Sequence, residues 1–257
     1  MHTAPTSIVP ARTAPPLQPA PPLQSTPRTT LTRGRHRGIE DRDALHDLLA
    51  QALLAHVGID MGTHPVVLPC LPALDIEGPD EGGTLYLHGS VGAVWVRRLL
   101  ADGSDVCVTV TELDGLVLAR SATHHSMNYR CAVVVGRPRV VPEGPEKVRA
   151  LDLLVDQVVP GRAMHLRPST RKEMAATCVL AVPLAEASLK MRAGDPVDDE
   201  DDVAAGGWAG VVPVQRVLGD PVDAADNEAP VPAHVVRHVA DDDGVRRVGM
   251  GDDVQRR

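Results

Sequence analysis

Apolar positions along this chain recur mostly in short runs of period two, interrupted by a few stretches of helical spacing. Leu45, Leu48, Leu49 and Leu53 follow a helical period behind Asp41 or Asp43, either of which can cap a helix. Val66–Leu68 and Thr84–His88 read as paired strands separated by a Gly- and Pro-bearing loop. Helical spacing returns over Gly92–Leu100, closed by Asp102-Gly103. Val106–Thr111 and Leu116–Ala119 read as strands around a turn at Asp114-Gly115, and Tyr129–Val141 as a long strand ended by Pro142. Pro145 opens a helix with Val148, Leu151, Leu154 and Val155 on one face, closing near Pro160-Gly161. Ser169 or Thr170 caps a short helix, with Glu173 placed for a capping box. Thr177–Leu184 and Ala187–Arg192 read as another strand pair, and Gly210–Val214 as a last strand. Short strands with interspersed helices and no βαβ rhythm predict a mainly β chain with flanking helices (α+β), an antiparallel barrel rather than a doubly wound sheet.

The two ends depart from this pattern. Residues 1–33 carry eight of the 23 prolines and no acid, so they are expected to form a disordered Pro-rich tail. An acid-free start bearing Arg also suits a transit peptide, but the prolines would break its amphipathic helix. Residues 236–257 mix Asp and Arg with few apolar anchors and are expected to be a charged, flexible tail. Residues 34–235 remain as one domain. The chain has no Phe, two Tyr and two Trp, so its core must be built from Val, Leu, Ala and Met. A net charge of −8 argues against nucleic-acid binding. No apolar run reaches the about 20 residues that a membrane span needs. Cys70, Cys107, Cys131 and Cys178 show no CxxC spacing and mostly sit in apolar runs, which fits free thiols in a reducing, cytoplasmic compartment.

Candidate chemistry concentrates between two apolar runs, where Arg120, Ser121, His124, His125, Ser126, Asn128, Tyr129 and Arg130 fall within eleven positions. Each must stay solvated or find a partner. With Asp114 the only acid close by in sequence, so many donors suggest an anionic, hydrogen-bond-accepting ligand. In the strand that follows, Tyr129 and Cys131 face one way and Arg130 and Ala132 the other, so only one set can meet a ligand. His88-Gly89-Ser90 ends a strand just before a helix, a place where free amides suit a phosphate; an ordinary strand-to-helix turn is the alternative. Lys190 and Arg192 share one strand face and point to an anionic partner or a neighbouring carboxylate, against the alternative of a solvated outer face. His124-His125 has no third spaced ligand, and Asp198–Asp202 lacks the interleaving of a calcium loop, so no metal is assigned. GxSxG, Walker and GxGxxG signatures are absent.

HPVVLP at 64–69, LYLHGS at 85–90, VCVTVTELDGLVLARS at 106–121 and VPGR at 159–162 form an ordered set of motifs. RPST at 167–170, KEMAATCVLAVPLAEASLKMRAGDPVDDEDD at 172–202 and WAGVVP at 208–213 continue it. Together they resemble the flavin-nucleotide-binding branch of the pyridoxamine 5'-phosphate oxidase-like, FMN-binding split-barrel family. The resemblance implies an antiparallel Greek-key split β-barrel, homodimeric, with FMN held at the subunit interface. It implies cofactor-binding roles for His88, Ser90, Arg97, Arg120, Ser121, His125, Ser126, Asn128, Tyr129, Arg130 and Lys190, and it places Trp208 near the flavin. It further implies an FMN-dependent oxidoreductase, with a second copy of the chain and a small redox substrate as partners. In that case the flavin supplies the redox chemistry; no catalytic residue is assigned, and His125 and Tyr129 are the candidates for proton transfer. Two alternatives stand beside it: a flavin- or haem-binding module without turnover, and a degenerate paralogue that has lost the cofactor. The chain departs from the family at Ala93 and Val94, where relatives carry a hydroxyl residue and an Arg that grip the FMN phosphate. Arg97 and Arg98 stand one helical turn later.

Overall fold

The computed structural model describes residues 20–241. In chain order it contains β1 (Gly38–Ile39), α1 (Arg42–Gln51), β2 (Ala55–Asp60), β3 (Pro65–Cys70), β4 (Ala73–Asp75) and β5 (Thr84–Ser90). There follow α2 (Val94–Asp102), β6 (Val106–Leu118), β7 (Ser126–Gly136), β8 (Arg139–Val140), α3 (Pro145–Val158) and α4 (Arg171–Ala176). The chain continues through β9 (Thr177–Pro183), β10 (Ala187–Arg192), α5 (Glu200–Ala205), β11 (Gly210–Pro213) and α6 (Ala233–Asp241). One antiparallel sheet has the order β1-β10-β7-β6-β2-β3, with β11 also on β6; the other has the order β4-β5-β9-β8. The strand β6 is the spine of the larger sheet. One of its edges pairs with β7; the other pairs with β2 at Val106–Thr109 and with β11 at Gly115–Leu118.

Side-chain alternation explains why the sheets close on one another. Along β6, Val106, Val108 and Val110 point into the core while Cys107, Thr109 and Thr111 point out. The strands β5 and β9 are buried on both faces. Leu85, Leu87, Leu180 and Val182 meet the larger sheet and Leu45, Leu48 and Leu49 of α1 in one core. Tyr86, Val179 and Ala181 on the opposite face meet Ala150 and Leu154 of α3 in a second. Each fully buried Leu or Val contributes roughly 1.5–3 kcal/mol, so many small apolar side chains fill a core that has no Phe. The result is a split barrel with α3 on its outside.

Local signals act as the sequence predicts. The Asp41 carboxylate accepts from Asp43 N–H, Pro145 opens α3, and Thr170 with Glu173 forms a capping box. Gly103 ends α2 at φ 59°, a left-handed conformation that favours glycine.

Several expected pairings are corrected. Val66–Leu68 lies in β3, which pairs with β2, a strand the sequence reading missed, whereas Thr84–His88 pairs with β4 and β9. Asp114-Gly115 makes no turn; β6 runs through it, with a β-bulge between Leu113 and Gly115. The strand expected at 129–141 begins at Ser126 and ends at Gly136, and Arg139–Val140 crosses to the smaller sheet beyond Pro138, which has no N–H to donate. The segments 177–184 and 187–192 do not pair with each other. Leu184 N–H donates to Gly83 O and Val135 N–H to Glu186 O, so the chain turns a corner there and enters the other sheet. The expected N-terminal tail is packed where it is described: Leu23 is 3% exposed, and Gln24 donates through N–H to Ala187 O and through Nε2 to Ile39 O, both at 2.9 Å. Residues 236–241 of the expected C-terminal tail belong to α6, while 1–19 and 242–257 lie outside the described residues.

Candidate functional site

The polar crossing after β6 is stitched to the loop between β10 and β11. The expectation that its donors lack carboxylates is corrected by two acids. Asp198 accepts from the Arg120 N–H and Nη1, both at 2.8 Å, while Arg120 Nε donates to Gly207 O. Burial opposes ionisation of Asp198, but these donors hold its carboxyl below the ordinary value. Arg130 makes a bidentate pair with Asp114 across the bulge and reaches Gln51. Ser121 Oγ lies 3.0 Å from His124 Nδ1, and His125 Nδ1 lies 2.9 Å from Ser121 O. Asn128 is buried; it donates to Gly194 O and accepts from Arg192. Ser126 opens β7 opposite Val117, and Tyr129 stands between Leu113 and Arg192 on the outer face of the larger sheet. Trp208, 68% exposed, lies against Gly210 at the start of β11. His124, Asp199 and Asp202 bring their ligand atoms within 4.8 Å of one another, joining His124 to the acidic run; Asp199 is exposed and the other two are half-buried, and no metal is assigned to them.

His88-Gly89-Ser90 ends β5 and leads into α2. Ser90 Oγ accepts from Gly92 N–H at 3.2 Å, and Ala93 caps the helix without a side-chain hydrogen bond. Val94 is 63% exposed and Arg97 is exposed, while Arg98 turns away to Asp102 and Asp60 O. The helix amides and Ser90 are therefore what this turn offers to a phosphate, with Arg97 the one nearby guanidinium among the described residues not engaged in an ion pair.

His88 also lines a groove of about 940 Å³ that the sequence reading missed. Its walls are the apolar side of α3 (Leu151, Leu154, Val155, Val158) and the segment 221–235, and Arg162 and Ser169 line it as well. Desolvation lowers the His88 pKa, so the imidazole is neutral at pH 7. Beside the groove, His234 of α6 stacks on His165 with ring centroids 4.3 Å apart; its Nε2 is buried without a hydrogen-bond partner among the described residues. The apolar, Pro-bearing run at 229–232 was the available sequence signal, but only the fold shows that it faces α3.

Comparison with known proteins agrees with this architecture. The model of the pyridoxamine 5'-phosphate oxidase family matches residues 41–191, and the chain belongs to that family. Among solved structures, the FAD and haem binding protein from Mycobacterium smegmatis is 40% identical, with a TM-score of 0.72, over 79% of this chain and 97% of that one. The flavocytochrome Anf3 from Azotobacter vinelandii is 34% identical, with a TM-score of 0.76, over 85% of this chain and 99% of that one. No curated protein matches. No helix among the described residues is long and apolar enough to cross a membrane.

Proposed function

We propose that this protein is a flavin-nucleotide- and haem-binding redox protein, working as a homodimer. The observation that carries the reading is the apolar groove with a neutral His88 on its wall, in a fold whose similar structures include a FAD and haem binding protein and a flavocytochrome. The residues fit a haem: Leu151, Leu154, Val155 and Val158 supply an apolar bed, His88 an imidazole able to ligate iron, and Arg162 a cation for a propionate. The orphaned Nε2 of His234 beside the groove is a second nitrogen with ligand capacity. The flavin fits the open face of the larger sheet, where Tyr129 and Lys190 lie on neighbouring strands. When bound, a flavin exchanges electron pairs and a haem single electrons, which makes the pair suited to passing reducing equivalents between unlike partners. The protein's own part is to hold each group in place, keep water from the groove and fix local charge.

FMN is the weaker fit at the turn before α2. Ala93 and Val94 offer a methyl and an isopropyl group where the resemblance implies a hydroxyl and an Arg. Micromolar or poorer FMN affinity is expected, with at least tenfold gained by Ala93→Ser with Val94→Arg. The test is reconstitution with haemin and with flavins, followed by absorption. A shifted Soret band that His88→Ala abolishes, at unchanged thermal midpoint, supports the haem assignment. A Soret band indifferent to His88→Ala overturns it, and nanomolar FMN binding by the unaltered chain overturns the reading of the turn.

A further inference from the structure

Three cations converge at the edge of the larger sheet. Lys190 and Arg192 are two residues apart on β10 and share the outer face with Cys131 and Tyr129, their cross-strand neighbours. Arg37 arrives from the 3₁₀ turn Arg35–Arg37, immediately before Gly38, which pairs with Lys190. The turn is set by Gly34 at φ 60°; a Cβ built there would lie 3.2 Å from Lys190 Nζ and 3.9 Å from Arg37 Cδ. The ammonium group and the Arg37 side chain therefore flank one bare stretch of backbone.

The cluster has no salt-bridged counter-charge: burial and Arg37 lower the Arg192 pKa by more than the Asp195 carboxylate raises it. Among the described residues, none of these three side chains forms an ion pair, although ten other basic residues do. Lys190 Nζ donates to Arg33 O at 3.0 Å. Arg192 donates to neutral oxygens, those of Asn128, Gly194 and the backbone of Asp195. The pKa of Arg192 is lowered, first by burial and then by the charge of Arg37, so the two guanidinium groups feel each other. Holding like charges together costs free energy in proportion to their closeness, and a bound polyanion reverses the sign. In a chain of net charge −8, three neighbouring cations with no salt-bridged carboxylate among the described residues are not explained by composition.

The geometry points to a diphosphate site: Arg37, Lys190 and Arg192 hold the pyrophosphate of a flavin dinucleotide. Residues i and i+2 of a strand stand about 7 Å apart, wider than one phosphate spans and suited to two linked ones. The planar fork of a guanidinium matches phosphate oxygens, and the ammonium adds a point charge. This inference rests on the flavin reading above, and it makes FAD rather than FMN the preferred nucleotide. Tyr129, on the same face beside Arg192, provides an aromatic surface and a hydroxyl next to the phosphates.

The experiment titrates riboflavin, FMN and FAD into the full chain and into the double variant Arg37→Gln with Lys190→Gln, reading quenching of flavin fluorescence at low and high salt. The wild type is expected to prefer FAD over riboflavin by at least tenfold. The variant is expected to lose at least tenfold for FAD, keep its riboflavin affinity and thermal midpoint, and show a weaker salt dependence. Unchanged FAD affinity, or an equal loss for riboflavin, overturns the inference. Loss of dimeric mass in the variant with FAD affinity intact assigns the cluster to a subunit contact and also overturns it. Should no flavin bind the wild type, calorimetry with inorganic pyrophosphate decides. Binding that the variant loses keeps the diphosphate site while the flavin reading falls, and binding by neither protein ends the inference.

Discussion

Gly89 shows how much can hang on a missing methyl group. A Cβ at this position would fall 2.6 Å from Trp95 Cζ2 and 3.0 Å from Val96 Cγ2, so the glycine lets the first turn of α2 lie against the end of β5. Its backbone is not in the left-handed region, so close approach, not chain freedom, is the requirement. Gly89→Ala should push α2 outward and destabilise the fold by about 1–3 kcal/mol, the usual cost of overpacking. Urea unfolding checks this, and a variant as stable as wild type would show that Trp95 yields at little cost. Because His88 is the next residue, the same change should weaken whatever the groove binds.

At the scale of elements, what could be read from sequence was what is local. The Asp41 cap, Pro145 at the head of α3, the Thr170–Glu173 box and Gly103 each involve contacts within a few positions, so residue type was enough to find them. Strand partners were not legible. Ala185-Glu186 looked like a hairpin connection, yet it marks the corner where the chain leaves one sheet for the other. The donors of the polar crossing were visible, but the acid that engages Arg120 lies 78 positions away, and the groove needs three distant segments at once. Leu23, in a segment whose composition suggested a tail, is 3% exposed; Leu23→Ala should cost about 2 kcal/mol or more in chemical denaturation. The α4 cap titrates. Arg167 first, then Thr170, hold the Glu173 carboxyl down to about 2 from its ordinary 4.5. A depressed carboxylate stabilises fully above 4.5, and this is lost as pH falls from 4.5 towards 2. The difference in thermal midpoint between wild type and Glu173→Gln should therefore be constant above pH 5 and close as pH approaches 2. A difference independent of pH would place the effect elsewhere.

For the whole molecule, the outer face of the larger sheet is the surface to account for. Val67, Leu113, Leu116 and Met127 are 62%, 39%, 40% and 52% exposed there, beside Thr109, Thr111 and Val133. Away from the β10 cations, an exposed apolar patch of this kind suits an isologous twofold contact. Light scattering at micromolar concentration should return twice the 27.3 kDa chain mass, and the chain mass alone would refute the homodimer. The scarcity of aromatics, first met as a constraint on the core, has a spectroscopic consequence. With two tryptophans in the whole chain, emission divides into a half-buried source, Trp95 at the His88 end of α2, and an exposed one, Trp208 at the start of β11. Acrylamide should quench Trp208 first. An absorbing group in the groove should dim Trp95 by energy transfer, and one beside the polar crossing should dim Trp208, so single Trp→Leu variants would give each compartment its own optical signal.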